Sequence, residues 1–240
     1  MASPEPFVFH GGIFPFQARV RGPVPKTHVR GDVALPSVGG DFLTEDGPWD
    51  LPDIGGPGPG RITKVTRHVR GEGDSEESTS SVECIIEGIE LPRVKATSLR
   101  AKLTSSFKND LHTFEAEVDV VNLNVDGRLY EKDAALLATV QGKPVAAIRG
   151  MMAGAHAASF APANGPGSNV ACFLVKPVQA VVAASDVVVG EYSIGEHDRR
   201  LTMLRIGLPA STAAAAGAAA TSSGGSVVLL QLFVNGHKPP

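Results

Sequence analysis

Three carboxylates on one predicted strand are the residues whose type and spacing best fit acid–base chemistry. Glu115, Glu117 and Asp119, the acidic stripe, alternate with apolar residues in HTFEAEVDVV and so point to one face of a strand. Neighbours in such a stripe lie roughly 6.6–6.8 Å apart, a carboxylate spacing that inverting glycosidases use. Arg100 and Lys102 on the preceding run are available as cross-strand partners, which favours a charge-paired, exposed strand face over a catalytic pair.

Two further stretches carry candidates for ligand contact. Trp49 is the only tryptophan and lies in segment 39–60, where eleven of the residues are Gly or Pro. That composition predicts a long surface loop, in which Trp49 could serve a carbohydrate-binding module together with the acidic stripe. Arg30, Gly31 and Asp32 spell the tripeptide of cell-adhesion ligands, although these residue types also favour an ordinary turn.

Other chemistries lack their residue patterns. The seven histidines form no HExxH or zinc-finger spacing, and no G-x-S-x-G nucleophile motif occurs. Cys84 and Cys172 lie in apolar, strand-like surroundings, where they could form one disulfide or pack as free thiols. The sequence therefore predicts no metal, no cofactor and no enzymatic activity.

Net charge and hydropathy limit the classes of partner that the chain is predicted to bind. A net charge of −3 and a pI near 6.2 give no field that favours nucleic acid. No apolar run reaches the roughly 18 residues of a membrane span. The N-terminus has no basic segment and is interrupted by prolines, so no signal peptide is predicted. A cytoplasmic location therefore stays open beside an exported one.

Period-two patterns identify the strands. Residues 82–91, 94–107 and 112–125 form three extended runs with short polar or proline links, which predicts an antiparallel meander. After Val120 the apolar positions change from even to odd numbers, which predicts a β-bulge. Asp126-Gly127 and Asn235-Gly236 favour type I′ turns, so each is interpreted as the stop signal of a strand.

The remaining segments complete one predicted domain spanning residues 1–240. Loops are expected at 39–60 and over the acidic, serine-rich run 71–81. Residues 132–160 favour a strand pair, with one or two helical turns as the alternative. The Ala/Ser-rich segment 210–225 is predicted to be an exposed insertion. The fold class is all-β, either a sandwich or a β-solenoid-like stack of antiparallel strands with long Gly/Pro-rich loops.

Part of the chain resembles a family of bacterial secreted modules. GIELPRVKATSLRAKLTSS followed by VNLNVDG is similar to the strand order of choice-of-anchor domains, especially the P-type. SDVVVGEYS at 185–193 resembles their later D-x-V-V-G strand. The resemblance covers about a third of the chain. It implies a secreted or cell-surface β-domain without catalytic residues.

Three functional hypotheses follow. The leading one is a non-catalytic structural or surface protein that self-associates or scaffolds an assembly, with edge strands that pair with other chains. Its partners would be further copies of the chain or other protein subunits. A carbohydrate-binding or hydrolysing module is the second hypothesis, with a glycan as partner. A structural component of a virion or injection machine is the third.

Overall fold

A computed structural model describes residues 8–20, 26–51, 59–74, 76–108, 111–151, 160–162, 170–179, 186–195, 198–208 and 225–237. Seventeen strands and two short helices lie in these ranges. The strands are β1 (Val8–Val20), β2 (Lys26–Arg30), β3 (Val33–Ala34), β4 (Gly40–Asp46), β5 (Trp49–Leu51), β6 (Gly60–Gly73), β7 (Glu77–Leu91), β8 (Val94–Lys108), β9 (Leu111–Val121), β10 (Leu123–Val125), β11 (Arg128–Lys132), β12 (Phe160–Pro162), β13 (Val170–Phe173), β14 (Val175–Pro177), β15 (Val187–Ile194), β16 (Asp198–Leu208) and β17 (Gly225–His237). The helices are α1 (Ala134–Val140) and α2 (Val145–Met151).

The strands form two antiparallel sheets. The first sheet has the order β12-β13-β15-β16-β17-β1-β2, and β3 adds to β1. The second sheet has the order β14-β11-β10-β8-β7-β6-β4, with β5 added to β6 and β9 added to β8. One hydrophobic cluster joins their inner faces, so the all-β prediction is confirmed and the arrangement is the sandwich. The sheets approach closely at Gly11, where a Cβ would lie 2.8 Å from Val82 Cγ1.

The predicted meander is confirmed as β7, β8 and β9, which pair in sequence along almost their whole lengths. Asp126 and Gly127 both have positive φ, at 52° and 80°, and they form the turn between β10 and β11. The prediction of a turn at Asn235-Gly236 is wrong. Both residues continue β17 and pair with His10 and Phe9 of β1, because a long neighbouring strand overrides a local turn preference.

The change of phase after Val120 is real, but its cause is not a bulge. Val121 pairs with Ser98, and three residues later Asn124 pairs with Lys95, so no residue is inserted on either strand. Asn122, between them, has φ 54°. Both strands therefore change phase together, whereas a bulge would add a residue to one of them.

This change of phase crosses four strands of the second sheet in one line. By register, Thr63, Gly88, Thr97 and Asn122 lie side by side on β6, β7, β8 and the β9–β10 junction. On each strand, two consecutive residues at the line point away from the core. Gly88 and Asn122 allow this with φ of 61° and 54°. We call this set the slip line.

A corresponding line crosses the first sheet, but there the two consecutive residues on each strand face the core instead of pointing away from it. Gly190, Met203, Leu230 and Pro15 are aligned on β15, β16, β17 and β1, and all four are buried. Gly190 and Leu230 have φ of 66° and 53°. This line crosses β1, β16 and β17 near their middle, whereas the slip line crosses β6, β7 and β8 near one end.

Several predicted loops are regular structure. Segment 39–60 contains β4 and β5, and the run 71–81 is mostly the ends of β6 and β7. The strand pair favoured for 132–160 is not formed over 134–151, where α1 and α2 lie, as the alternative of helical turns predicted. Asp133 caps α1 by accepting a hydrogen bond from Leu136 N–H. Residues 152–159 lie outside the described residues. The predicted insertion 210–225 lies outside the described residues except for Gly225, which begins β17.

Candidate functional site: an open edge strand and its surroundings

β4 is an outer strand of the second sheet, and all seven of its residues are exposed. Within the described ranges, β4 pairs only with β6, from Gly40↔Gly71 to Asp46↔Val65. The exposed fractions of Phe42 and Leu43 are 47% and 62%. Because they are neighbours in sequence, the two side chains lie on opposite faces of the strand. Such an edge can pair with a further strand.

Basic side chains on β6 face the acids of β4. Lys64 Nζ lies 2.7 Å from Glu45 Oε1, and Arg70 Nε lies 3.9 Å from Asp41 Oδ2. His68 Nε2 forms a hydrogen bond of 2.6 Å with Asp41 Oδ1. Thr66 Oγ1 also donates to Glu45 Oε1. The hydrogen bond from Lys64 lowers the pKa of the Glu45 carboxyl, so this acid is ionised and paired at neutral pH. The edge therefore carries little uncompensated charge.

The other long exposed edge, β2, carries its own protection. β2 has the sequence KTHVR, is fully exposed, and lies at the end of the first sheet. Lys26 and Arg30 place cations at its two ends, and edge lysines disfavour pairing with another copy. Two copies of β2 would repel each other through these cations. The acids of β4, in contrast, are already paired with basic side chains of β6 in the same molecule.

Trp49 is buried, which overturns its predicted place in a surface loop. Its side chain has no exposure, and β5 pairs it with Ile62. The Arg30 guanidinium lies 4.9 Å from the indole centroid, and Arg30 also donates to the carbonyl of Asp50. A sugar ring cannot stack on an indole that the protein itself covers.

The adhesion tripeptide surrounds this same tryptophan. Gly31 has φ 72°, and a Cβ there would lie 2.4 Å from Trp49 Cη2. Arg67 Nη1 donates to the Gly31 carbonyl at 2.8 Å. Arg30 is engaged with Trp49, while Asp32 is exposed. Close packing, which only glycine permits here, explains the glycine of this tripeptide.

Basic side chains pair with two acids of the acidic stripe, Glu117 and Asp119. Arg100 Nη1 lies 3.0 Å from Glu117 and 3.2 Å from Asp119, and Lys102 and Lys132 add further contacts at 3.4 and 2.6 Å. Burial raises the pKa of Asp119, but Lys132 and Arg100 outweigh it, and the net shift is downward. A general acid of a glycosidase needs a raised pKa, so this arrangement is typical of a structural ion-pair network.

The structure does not bring Trp49 and the acidic stripe together. β5 and β9 are four strand positions apart, roughly 19 Å across the sheet. Trp49 faces the core, whereas Glu115 on the stripe is exposed. The composite carbohydrate site predicted from these residues is therefore not formed.

The two cysteines are separate free thiols. Cys84 lies on β7 in the second sheet and Cys172 on β13 in the first sheet, and both are buried. Burial raises the pKa of the Cys172 thiol to about 12 and raises that of Cys84 further. The disulfide that the sequence left open is not formed, and both thiols pack as apolar groups.

Sequence reasoning missed a serine–histidine contact. Ser105 Oγ and His112 Nε2 are 2.7 Å apart across the β8–β9 pair. Ser105 is buried, with 3% of its surface exposed. A substrate cannot reach this hydroxyl, so the contact orients the imidazole and provides no accessible nucleophile.

An open groove of about 550 Å³ follows the slip line on the outer face of the second sheet. Lys64, Glu87, Glu90 and Lys95 contribute two charges of each sign to its lining. The groove therefore has no preference for an anion or a cation.

Neither a metal site nor a membrane-spanning helix is found in the part of the chain that the structure describes. No three His, Cys, Asp or Glu side chains there are placed to hold a metal ion. The two described helices have seven residues each, and neither is long and apolar enough to cross a membrane.

Comparison of the chain with protein-family models, with curated proteins and with solved structures gives no match. The resemblance of residues 82–127 to choice-of-anchor domains stays a prediction. The functional argument therefore depends on the geometry of the chain itself, and above all on β4.

Proposed function

We propose that this chain is a non-catalytic structural protein that self-associates by pairing β4 with β4 of a second copy. The observation that supports this proposal is an edge strand of seven exposed residues that presents Phe42 and Leu43 to solvent. Pairing would satisfy the open backbone groups and remove apolar surface from water. The second sheet would then continue across the dimer.

The strand sequence favours one antiparallel register. Directly opposite residues in such a pair share a face, so a two-fold axis must pass between two copies of the same residue. The register that pairs all of β4 places Leu43 opposite Leu43 of the second copy. Phe42 then lies opposite Thr44, and Asp41 opposite Glu45. The repulsion between these acids is offset by Arg70 and Lys64 on β6.

Cysteine cross-linking tests this register. Opposite Cβ atoms lie about 4.5–5.5 Å apart in an antiparallel pair, near enough for a disulfide. Leu43→Cys should therefore give a covalent dimer on mild oxidation. Phe42→Cys and Thr44→Cys should each stay monomeric in denaturing gels, and a mixture of the two should cross-link. The buried native thiols leave the background low.

Light scattering tests the assembly itself. The wild-type chain should elute as a dimer over a concentration series, and Leu43→Lys should shift it to monomer because two lysines would meet at the axis. Val29→Lys is the matched control, since Val29 is an exposed apolar residue on the other edge strand. The proposal would be rejected if the wild-type chain stayed monomeric at high concentration, or if the Leu43→Lys variant still formed a dimer.

The location of this assembly is a separate part of the proposal. The choice-of-anchor resemblance supports a secreted or cell-surface scaffold, and a virion or injection machine would use the same kind of strand pairing. Fractionation of cells that express the chain, with detection in the medium, on the surface and in assembled particles, distinguishes these locations.

A further inference from the structure

A cavity of about 270 Å³ lies where the first sheet meets β9 and the turn between α1 and α2. β9 contributes His112 and Phe114 to its lining, and the turn and α2 contribute Lys143 and Arg149. Arg199 on β16 lines it from the first sheet. No aspartate or glutamate is among the lining residues that the structure describes. Lys143 and Arg199 therefore place two cationic side chains at the cavity.

Arg199 is the central feature of this cavity. Its side chain points into the sandwich and only 3% of its surface is exposed. The guanidinium lies 4.0 Å from the centroid of Phe114. Its Nη1 donates to the carbonyls of Gly195 and Asp198, and its neighbours include the Tyr192 hydroxyl. These hydrogen-bonding groups are all neutral.

No carboxylate among the described residues lies within ion-pair distance of Arg199. The other buried arginine, Arg67, has Asp46 at 3.9 Å. Asp198 is near enough to act on Arg199 through its charge but forms no ion pair with it. A buried cation without a paired anion is costly, and a bound anion would compensate this charge.

We propose that this cavity binds a small phosphorylated ligand, with the phosphate at Arg199 and Lys143. Two cations from different elements suit a dianion better than a single carboxylate, and guanidinium groups bind phosphate oxygens in pairs. Pro144, Val145 and Phe114 line the rest of the cavity with apolar surface. That surface suits a compact organic group attached to the phosphate.

Isothermal titration calorimetry at constant ionic strength tests the site, with phenyl phosphate, inorganic phosphate and phenol as probes. Phenyl phosphate should bind, inorganic phosphate should bind more weakly, and phenol should give no saturable heat. A phenol affinity equal to that of phenyl phosphate would show that the ring alone binds and would overturn the proposal. So would the absence of binding by either phosphate at millimolar concentration.

Two variants separate the site from general charge effects. Lys143→Glu reverses an exposed charge at the rim and should weaken phenyl phosphate binding by about tenfold or more, the typical value of a charge-assisted contact. Lys26→Glu makes the same change at an exposed position on β2, outside the lining residues, and should leave the affinity unchanged. Equal effects of the two variants would refute the site.

A third variant addresses the buried arginine. Arg199→Met should abolish binding while the free protein remains folded, because an apolar side chain of similar size often replaces a buried charge without loss of stability. Retained binding in folded Arg199→Met would contradict the proposal. If this variant does not fold, the comparison of Lys143→Glu with Lys26→Glu decides the question alone.

Discussion

Replacing Gly88 by alanine tests whether the slip line depends on glycine. Gly88 has φ 61°, a conformation that costs an L-residue roughly 1–2 kcal/mol. A Cβ there would also lie 2.2 Å from Thr63 Oγ1 and 2.7 Å from Thr63 Cβ on the neighbouring strand. Forcing such a contact adds a further 1–3 kcal/mol of overpacking in typical cases, so roughly 3 kcal/mol in total is expected for Gly88→Ala.

Gly127→Ala is the matched control. Gly127 has φ 80°, but a Cβ there would meet no atom within 4 Å. Only the conformational cost applies, and reduced freedom of the unfolded chain offsets part of it, so about 1 kcal/mol is expected. Urea unfolding followed by the fluorescence of buried Trp49 measures both variants, and the difference of about 2 kcal/mol isolates the contact with Thr63.

The contact itself is tested by removing the other partner. Thr63→Gly alone should cost under about 1 kcal/mol, the usual penalty of glycine in an exposed strand. In the Gly88→Ala background it should restore most of the lost stability, giving a coupling free energy of about 1.5 kcal/mol or more. Equal losses for Gly88→Ala and Gly127→Ala, or additive effects with Thr63→Gly, would refute the reasoning.

Two further predictions follow from charge and burial. Arg93 contacts Asp126 at 2.6 Å and Asp186 at 2.7 Å and lowers the pKa of both carboxyls, so Arg93→Met should cost about 2 kcal/mol after allowance for exposure. Since lowered pKa values stabilise the fold above the unfolded value near 3.9, this loss should be full at pH 7. In urea titrations it should shrink as the pH falls below the unfolded value and vanish below the lowered pKa values of the two carboxyls. Cys84 and Cys172 should not react with a thiol reagent in the folded protein and should both react in denaturant; fast native labelling of either would contradict their burial.

Local period-two patterns explain why the meander was predictable. In β9, Phe114, Ala116 and Val118 are buried and alternate with charged residues, so one strand alone shows its orientation. β4 has no such signal. All of its residues are exposed, and Phe42 and Leu43 are adjacent, so no inward set exists for a pattern to reveal.

The sequence pattern predicts the wrong environment for Trp49 for a related reason. Its surroundings are rich in Gly and Pro, which predict a loop from composition. Three residues of β5 are nevertheless enough to pair with β6 and carry the indole under the sheet, where Gly31 leaves room for it. Long-range pairing decides this position, and local composition carries no information about it.

The period-two pattern of the sequence is enough to place both buried arginines at inward-facing strand positions. Arg67 occupies an apolar position between Val65 and Val69, and Arg199 begins the series that continues with Leu201. A cation in an inward position is costly unless the fold supplies a partner. Sequence alone could flag both residues, although only the structure shows how they differ.

That difference separates a structural arginine from a binding one. Arg67 donates to the Gly31 carbonyl and lies 3.9 Å from Asp46, so it ties the turn after β2 to the end of β4 within one molecule. Arg199 has neutral hydrogen-bond partners and lines a cavity without an aspartate or glutamate among its described lining residues. The same side chain at equivalent inward positions therefore completes its charge pairing internally in one case and leaves it to a ligand in the other.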